Sequence, residues 1–283
     1  MERRRRVPPR AADVIVRLTT VLRRLAAATL SLALVGVAPH TISAQATATA
    51  SVALLDSLRP QIETALVRGD WPTLDRIAAR LRAVAATPAG RNDAWAHYDL
   101  AYTLHRRVSG LIAEKNNARA KTLVDEALTA AERARTLGAG AHARALQGAL
   151  SGQMAAVGGG ISPMRFGPRA LSQLDEAATA APNDPRVALL NGMTRLNAPS
   201  MFGGGPPRAE AELRKAIRLF ATDRNASPLP SWGRTDAHIW LGLALQAQNK
   251  RAEARAEFDR ALAITPGHRW IIETLIPELE RAR

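Results

Sequence analysis

The stretch "TDAHIWLGLALQAQNKRAEARAEFDRALAITPGH", residues 235–268, decides the fold. Its first half opens at Thr235-Asp236, residues suited to cap a helix start, and continues as an apolar run "AHIWLGLALQAQ". Its second half carries Ala254, Phe258 and Ala261. Offsets of four and seven lie on one side of a helix, so two small residues flank one large side chain there. Gly242 in the first helix lets the second approach closely, and Pro266 closes the second. The pattern A-x3-[VLF]-x2-A returns three more times, in "AKTLVDEA" from Ala120, "ALSQLDEA" from Ala170 and "AEAELRKA" from Ala209. Asn92-Asp93 and Asp184-Pro185 open the helices that precede two of these, and glycines Gly138 and Gly140 precede "AHARALQGALSGQMAA". No alternating run is long enough to suggest a sheet, so the chain reads as consecutive helix pairs.

Leu241, Gly242, Leu245, Ala254, Phe258, Ala261 and Pro266 stand at the spacing of a 34-residue unit that resembles the tetratricopeptide repeat. Leu245 replaces the usual Tyr, and His238 stands where Trp is usual. The resemblance implies an all-α, right-handed solenoid of about five antiparallel helix pairs with a C-terminal capping helix, "HRWIIETLIPELERA". The first pair, "LLDSLRPQIETALV" and "WPTLDRIAARLRAVA", is degenerate and joined by Gly69-Asp70. Two pairs carry insertions between their helices, "AAVGGGISPMRFGP" and "NAPSMFGGGPP", both read as enlarged turns. The second is no phosphate loop, because Pro206-Pro207-Arg208 supplies neither Lys nor Ser or Thr after the glycines. Its Met201 and Phe202 either tuck over the helix ends or line a ligand site. The turn before "RAEAELRKAI" also loosely resembles the periplasmic helical-repeat partners of tripartite (TRAP-type) solute transporters, which implies an apolar small-molecule ligand.

The net charge of +14 suggests a nucleic-acid or membrane partner only at first sight. Eight arginines and two acids in residues 1–24 account for +6 of it. That basic leader precedes the uncharged run "LAAATLSLALVGVA", Leu25–Ala38, and the small residues around Ala44-Gln45-Ala46, the parts of a secretory signal. The expected division is a signal peptide at 1–44 and a helical-repeat domain at 45–283. The expected location is periplasmic or secreted, without stable membrane insertion after cleavage. There is no cysteine, so disulfides and thiolate chemistry are excluded.

H-E-x-x-H and G-x-S-x-G are both absent, and the histidines after the leader lie on separate turns or helices. No enzyme is expected, and no cofactor, metal or nucleic acid. The repeat resemblance implies that the concave groove is lined by fixed first-helix positions. With Ala101 in the glycine's place these are Trp95, Tyr98, Tyr102, His105 and Arg106. The same mapping gives His142, Ala145, Ala149 and Gly152, then Arg186, Leu189 and Met193, then Asp236, Ile239, Leu243 and Gln246. The stripe Trp95, Tyr98, Tyr102, His105 either faces the groove or packs against the preceding pair; on the first reading both tyrosines are partly exposed. The expected function is a non-enzymatic binding or scaffold protein holding a peptide or protein partner, with an apolar small molecule as the alternative and Trp95, Tyr98, Tyr102, His105, Arg106, Met201 and Phe202 as the binding residues.

Overall fold

The computed structural model describes residues 39–281, with side chains from residue 52 onward; the basic leader and its apolar run lie outside the described residues. The described residues from 48 onward form one compact unit. The helices are α1 (Pro39–Arg68), α2 (Trp71–Ala86), α3 (Ala94–Ala113), α4 (Asn117–Ala134), α5 (Gly140–Val157), α6 (Ser162–Ala180), α7 (Pro185–Asn197), α8 (Pro206–Thr222), α9 (Arg234–Gln246), α10 (Arg251–Ile264) and α11 (Ile276–Arg281). Among the described residues there is no strand, and no helix is long and apolar enough to cross a membrane. The helices pack in consecutive pairs, α3 with α4 through α9 with α10, each pair stacking on the next. This is a helical-repeat solenoid closed at its C-terminal end by α11.

Complementary volumes join the pairs. A Cβ built on Gly148 would lie 2.6 Å from Leu174, and one on Gly192 would lie 2.6 Å from Leu213; on Gly242 it would collide with the Phe258 ring. The first helix thus leaves a gap where the second inserts its large residue, and alanines flank the insertion. Ala170, Ala177, Ala209, Ala216, Ala254 and Ala261 are all buried. In the α3–α4 pair the glycine becomes Ala101 and the inserted residue shrinks to Val124, both fully buried. Packing at this density tolerates no added methylene without displacement.

Helix starts follow the sequence at Asp93 and Asp184, depart from it at Asp236, and gain a cap at Asp70, read from the sequence only as part of a joint. Asp70, Asp93 and Asp184 accept bonds from the free amides of Thr73, Trp95 and Arg186 at 3.0, 2.9 and 2.8 Å. Asp236 caps nothing. Helix α9 begins at Arg234 after Gly233, whose φ of +108° is open to glycine, and Asp236 points into the interior. The first insertion also differs from the enlarged turn expected of it. Only residues 158–161 form a turn, and Ser162 onward lengthens α6 despite Pro168. The second remains a true connection, residues 198–205, with one 3-10 turn at Ser200–Phe202.

Long-range ties cross the concave side. Residues 223–233, between α8 and α9, lie against α1 and α3. Arg59 Nη2 donates to the Pro228 carbonyl at 2.7 Å, and Trp232 stacks on Tyr102 with ring centres 4.4 Å apart. Arg106 grips Asp236 with two bonds of 2.8 and 3.1 Å.

Candidate functional site

The first helices of successive pairs bring the mapped positions together, as the repeat register implies. Trp95 packs edge-on to His142 at 5.6 Å, Arg106 meets Asp236, and His105, Ala149, Gly152 and Met193 share one cavity wall. Their exposure differs from expectation. Tyr98 is 0% and Tyr102 2% exposed, so the partly exposed aromatic stripe does not exist. Tyr98 lies among Trp95 and His142, while Tyr102 is covered by Trp232 and donates to Glu63 Oε1 at 2.9 Å. Trp95 is half-buried and Arg106 is engaged by Asp236, so α1 and the 223–233 segment cover this part of the groove.

The covered part is polar and charged. Arg59 Nε donates to Asp99 at 2.8 Å, and Arg186 Nη2 to Asp223 at 2.8 Å. Burial pushes the Glu63 carboxyl up to about 7, against the pull of Arg106. Burial likewise raises Asp99 to about 7, against Arg59. A second, smaller cavity of about 260 Å³ lies here, walled by Arg59, Glu63, Asp99, Tyr102 and Trp232.

Farther along the same helices the groove is open and apolar. A cavity of about 480 Å³ lies between α3, α5, α6 and α7, in the size range of small-molecule sites. His105, Ser109 and Ile112 come from α3; Ala149, Gly152, Gln153 and Ala156 from α5; Ala170 and Leu171 from α6; Met193 and Thr194 from α7. Small residues on α5 make the room. No side chain in its wall carries a formal charge at neutral pH. Both inserted segments border it: Pro163 and Gly167 from the first, Asn197 to Pro199 and Phe202 from the second. Phe202 is 44% exposed, and Met201, at 83%, stands beyond the wall. Ile161 and Met164 on the first insertion are exposed too.

Of the seven residues read from sequence, the structure therefore places His105 and Phe202 in the apolar cavity. It places Tyr102 in the wall of the polar one, Tyr98 and Arg106 in the buried network, Trp95 beside it and Met201 in solvent. The mapping missed Gln153 and Trp240. Gln153 adjoins Gly152 in the groove stripe, and Trp240 is one of only five tryptophans, so both had a signal.

Among the described residues no group of three or more His, Cys, Asp or Glu side chains is arranged to hold a metal ion. No family model matches the chain, and no curated protein does. Solved structures do. The HusA haemophore from Porphyromonas gingivalis is similar at 26% identity and a TM-score of 0.53, over 74% of this chain and 94% of that one. MamA from Desulfovibrio magneticus RS-1 matches at 17% identity and a TM-score of 0.32, over 74% and 93%.

Proposed function

We propose that the chain is an exported, non-enzymatic binding protein of tetratricopeptide-like repeats that carries a flat apolar small molecule of the porphyrin class in the α3–α5–α6–α7 cavity. The observation that carries this reading is the cavity itself, about 480 Å³ with a wall of small and apolar side chains and no formal charge. Such a wall favours an apolar body and leaves any carboxylates at the mouth, in water. The likeness to a haemophore over most of both chains supports the ligand class. The seven positions of residues 235–268 support the repeat type, and the basic leader with its short apolar run supports export. An extended peptide is the weaker reading, because the tyrosines that would have gripped it are buried.

Titration with metal-free protoporphyrin, followed by its absorbance and by tryptophan quenching, tests the proposal. Trp240 is in the wall and should be quenched on binding. Saturable one-to-one binding that is lost in Ala156→Trp, a substitution that fills the cavity, is the expected result. No binding to the folded protein would overturn it.

A further inference from the structure

Two inserted segments interrupt the regular pairs, and both hold large apolar side chains out to solvent. Ile161, Met164 and Met201 are each at least three-quarters exposed, the three highest values for large apolar residues among the described ones, and Phe202 is nearly half exposed. Single apolar residues scattered on a surface need no explanation, but four gathered on two segments that border one cavity do. The backbone keeps them outward. The Met164 and Arg165 amides donate to the Ile161 carbonyl oxygen at 3.1 Å, which starts α6 with Ile161 outside it. In the second segment the Gly205 amide donates to the Arg195 carbonyl oxygen at 2.8 Å, and Arg195 Nη1 to that of Gly203 at 2.6 Å, so the 3-10 turn holding Met201 and Phe202 is braced from α7. The charges beside these tips have one sign. Residues 158–169 contain Arg165 and Arg169 and no acid, and residues 197–208 contain Arg208 and no acid. All three arginines are exposed, and among the described residues none makes an ion pair. Exposed arginines elsewhere, such as Arg135 and Arg255, are held by a carboxylate three or four residues away.

We propose that these two tips dock the protein on a lipid bilayer with anionic headgroups, the apolar side chains entering the boundary between headgroups and acyl chains and the arginines pairing with lipid phosphates. The charge concerned is local and owes nothing to the basic leader. A second copy of the chain is the poorer occupant, because a two-fold contact sets the patch against itself and its arginines then repel one another. An anionic bilayer offers an apolar layer and unpaired phosphates together, the two chemistries that the tips carry. The docking stands whether or not the cavity takes a porphyrin, yet it sets the cavity that the tips border beside the layer in which an apolar ligand dissolves.

The test is flotation of the chain from residue 45 onward, which keeps the compact unit and leaves out the basic leader, with vesicles of phosphatidylcholine alone or of phosphatidylcholine mixed with phosphatidylglycerol. Binding to the mixed vesicles only, weakening as salt rises, is the expected result. Arg165→Gln, Arg169→Gln and Arg208→Gln should each lower the partition onto mixed vesicles about fivefold. Ile161→Ser, Met164→Ser and Met201→Ser together should lower it at least about tenfold. Melting temperatures should not change, because all six side chains are exposed. The chain has no cysteine, so Met201→Cys carrying an environment-sensitive dye reports on one tip alone, and serves if the multiple variant fails to fold. Its emission should shift to the blue on mixed vesicles, while the same dye at Ala79→Cys, exposed on α2, should not respond. No binding to either kind of vesicle, equal binding to both, or binding that neither set of substitutions weakens would overturn the proposal. So would a dye at position 201 that stays silent while the protein floats. A dimer that the serine substitutions dissolve, without vesicle binding, would overturn it in favour of a second copy.

Discussion

Helix α3 runs through two environments. Asp99, Tyr102 and Arg106 face partners drawn from α1, α9 and the 223–233 segment and are covered by them, while Tyr98 is buried against Trp95 and His142. His105, Ser109 and Ile112, on the next turns, face small residues of α5 and a cavity. Both stretches lie on the concave side that the repeat register picks out. What separates them is the side chain opposite: large, charged or aromatic in one case, and alanine or glycine in the other. Concavity makes a groove, and the residue opposite decides whether it becomes core or site.

The sharpest way to break this comparison is in the covered part. Asp236→Ala leaves the Arg106 guanidinium buried without its partner and should cost roughly 3–5 kcal/mol, while Asp236→Ala with Arg106→Met should recover most of the loss. Chemical denaturation of the single and double variants measures both. Tyr98→Ala should cost about 3–5 kcal/mol, as large as a buried leucine truncation such as Leu104→Ala at about 2–5. A tyrosine variant as stable as wild type would return Tyr98 to the surface and collapse the distinction.

In the open part the expectation reverses. Ala156→Trp should change stability by no more than about 0.5 kcal/mol, because Ala156 is exposed within the cavity wall, yet abolish porphyrin uptake. Thermal melts beside a binding titration separate the two effects. Phe202→Ser should be smaller still, a few-fold loss of affinity at unchanged melting temperature, since the ring is only part-covered at the rim.

Acidity gives the mildest probe. Glu63 has a carboxyl raised by burial from 4.5 to about 7, so the folded state favours its protonated form. Its contribution is therefore full below pH 4.5 and is lost as pH rises through about 7. Glu63→Gln removes that loss. The variant's stability relative to wild type should rise between pH 4.5 and 7 and level off above, as a pH series of denaturation curves would report. His105 opposes this in wild type: with its pKa lowered from 6.5 to about 4, its contribution is lost as pH falls from 6.5 towards 4.

The pairing of helices was legible because close packing writes itself locally. Ala254, Phe258 and Ala261 lie within eight residues, and Gly242, which receives the phenylalanine, is only twelve before Ala254. The concave positions were legible for the same reason, since one register locates them all. Covering was not legible, because it depends on contacts with no fixed spacing. Nothing local shows that Pro228 meets Arg59 or that Trp232 stacks on Tyr102, although a tryptophan inside "NASPLPSWGR" is a hint of burial. Asp236 misled because a helix-start aspartate looks alike whether it caps or turns inward. The two insertions misled in another way: glycines and prolines around Met and Phe were shared, yet Pro163, at the second position of α6, suits a helix start and let the first of them extend a helix.

The ties between Arg59 and Pro228, 169 residues apart, and between Arg106 and Asp236, 130 apart, change what kind of polymer this chain is. A stack of repeats ordinarily behaves as a one-dimensional array, each unit answering only to its neighbours and the ends loosening first. Here α1 of the first described pair is tied to the segment that enters the last pair, and α3 of the second pair to the last pair's first helix, so those ends of the array are linked across it as well as through the pairs between. Unfolding should proceed in one step, with amides of α1 and α9 exchanging hydrogen at a common rate. Folding bears the matching burden, since a loop of such length must close before its bonds form, and the latch should be among the last contacts made. Breaking both ties, with Arg59→Ala and Asp236→Ala together, would then restore an open array, with the ends exchanging faster than the middle.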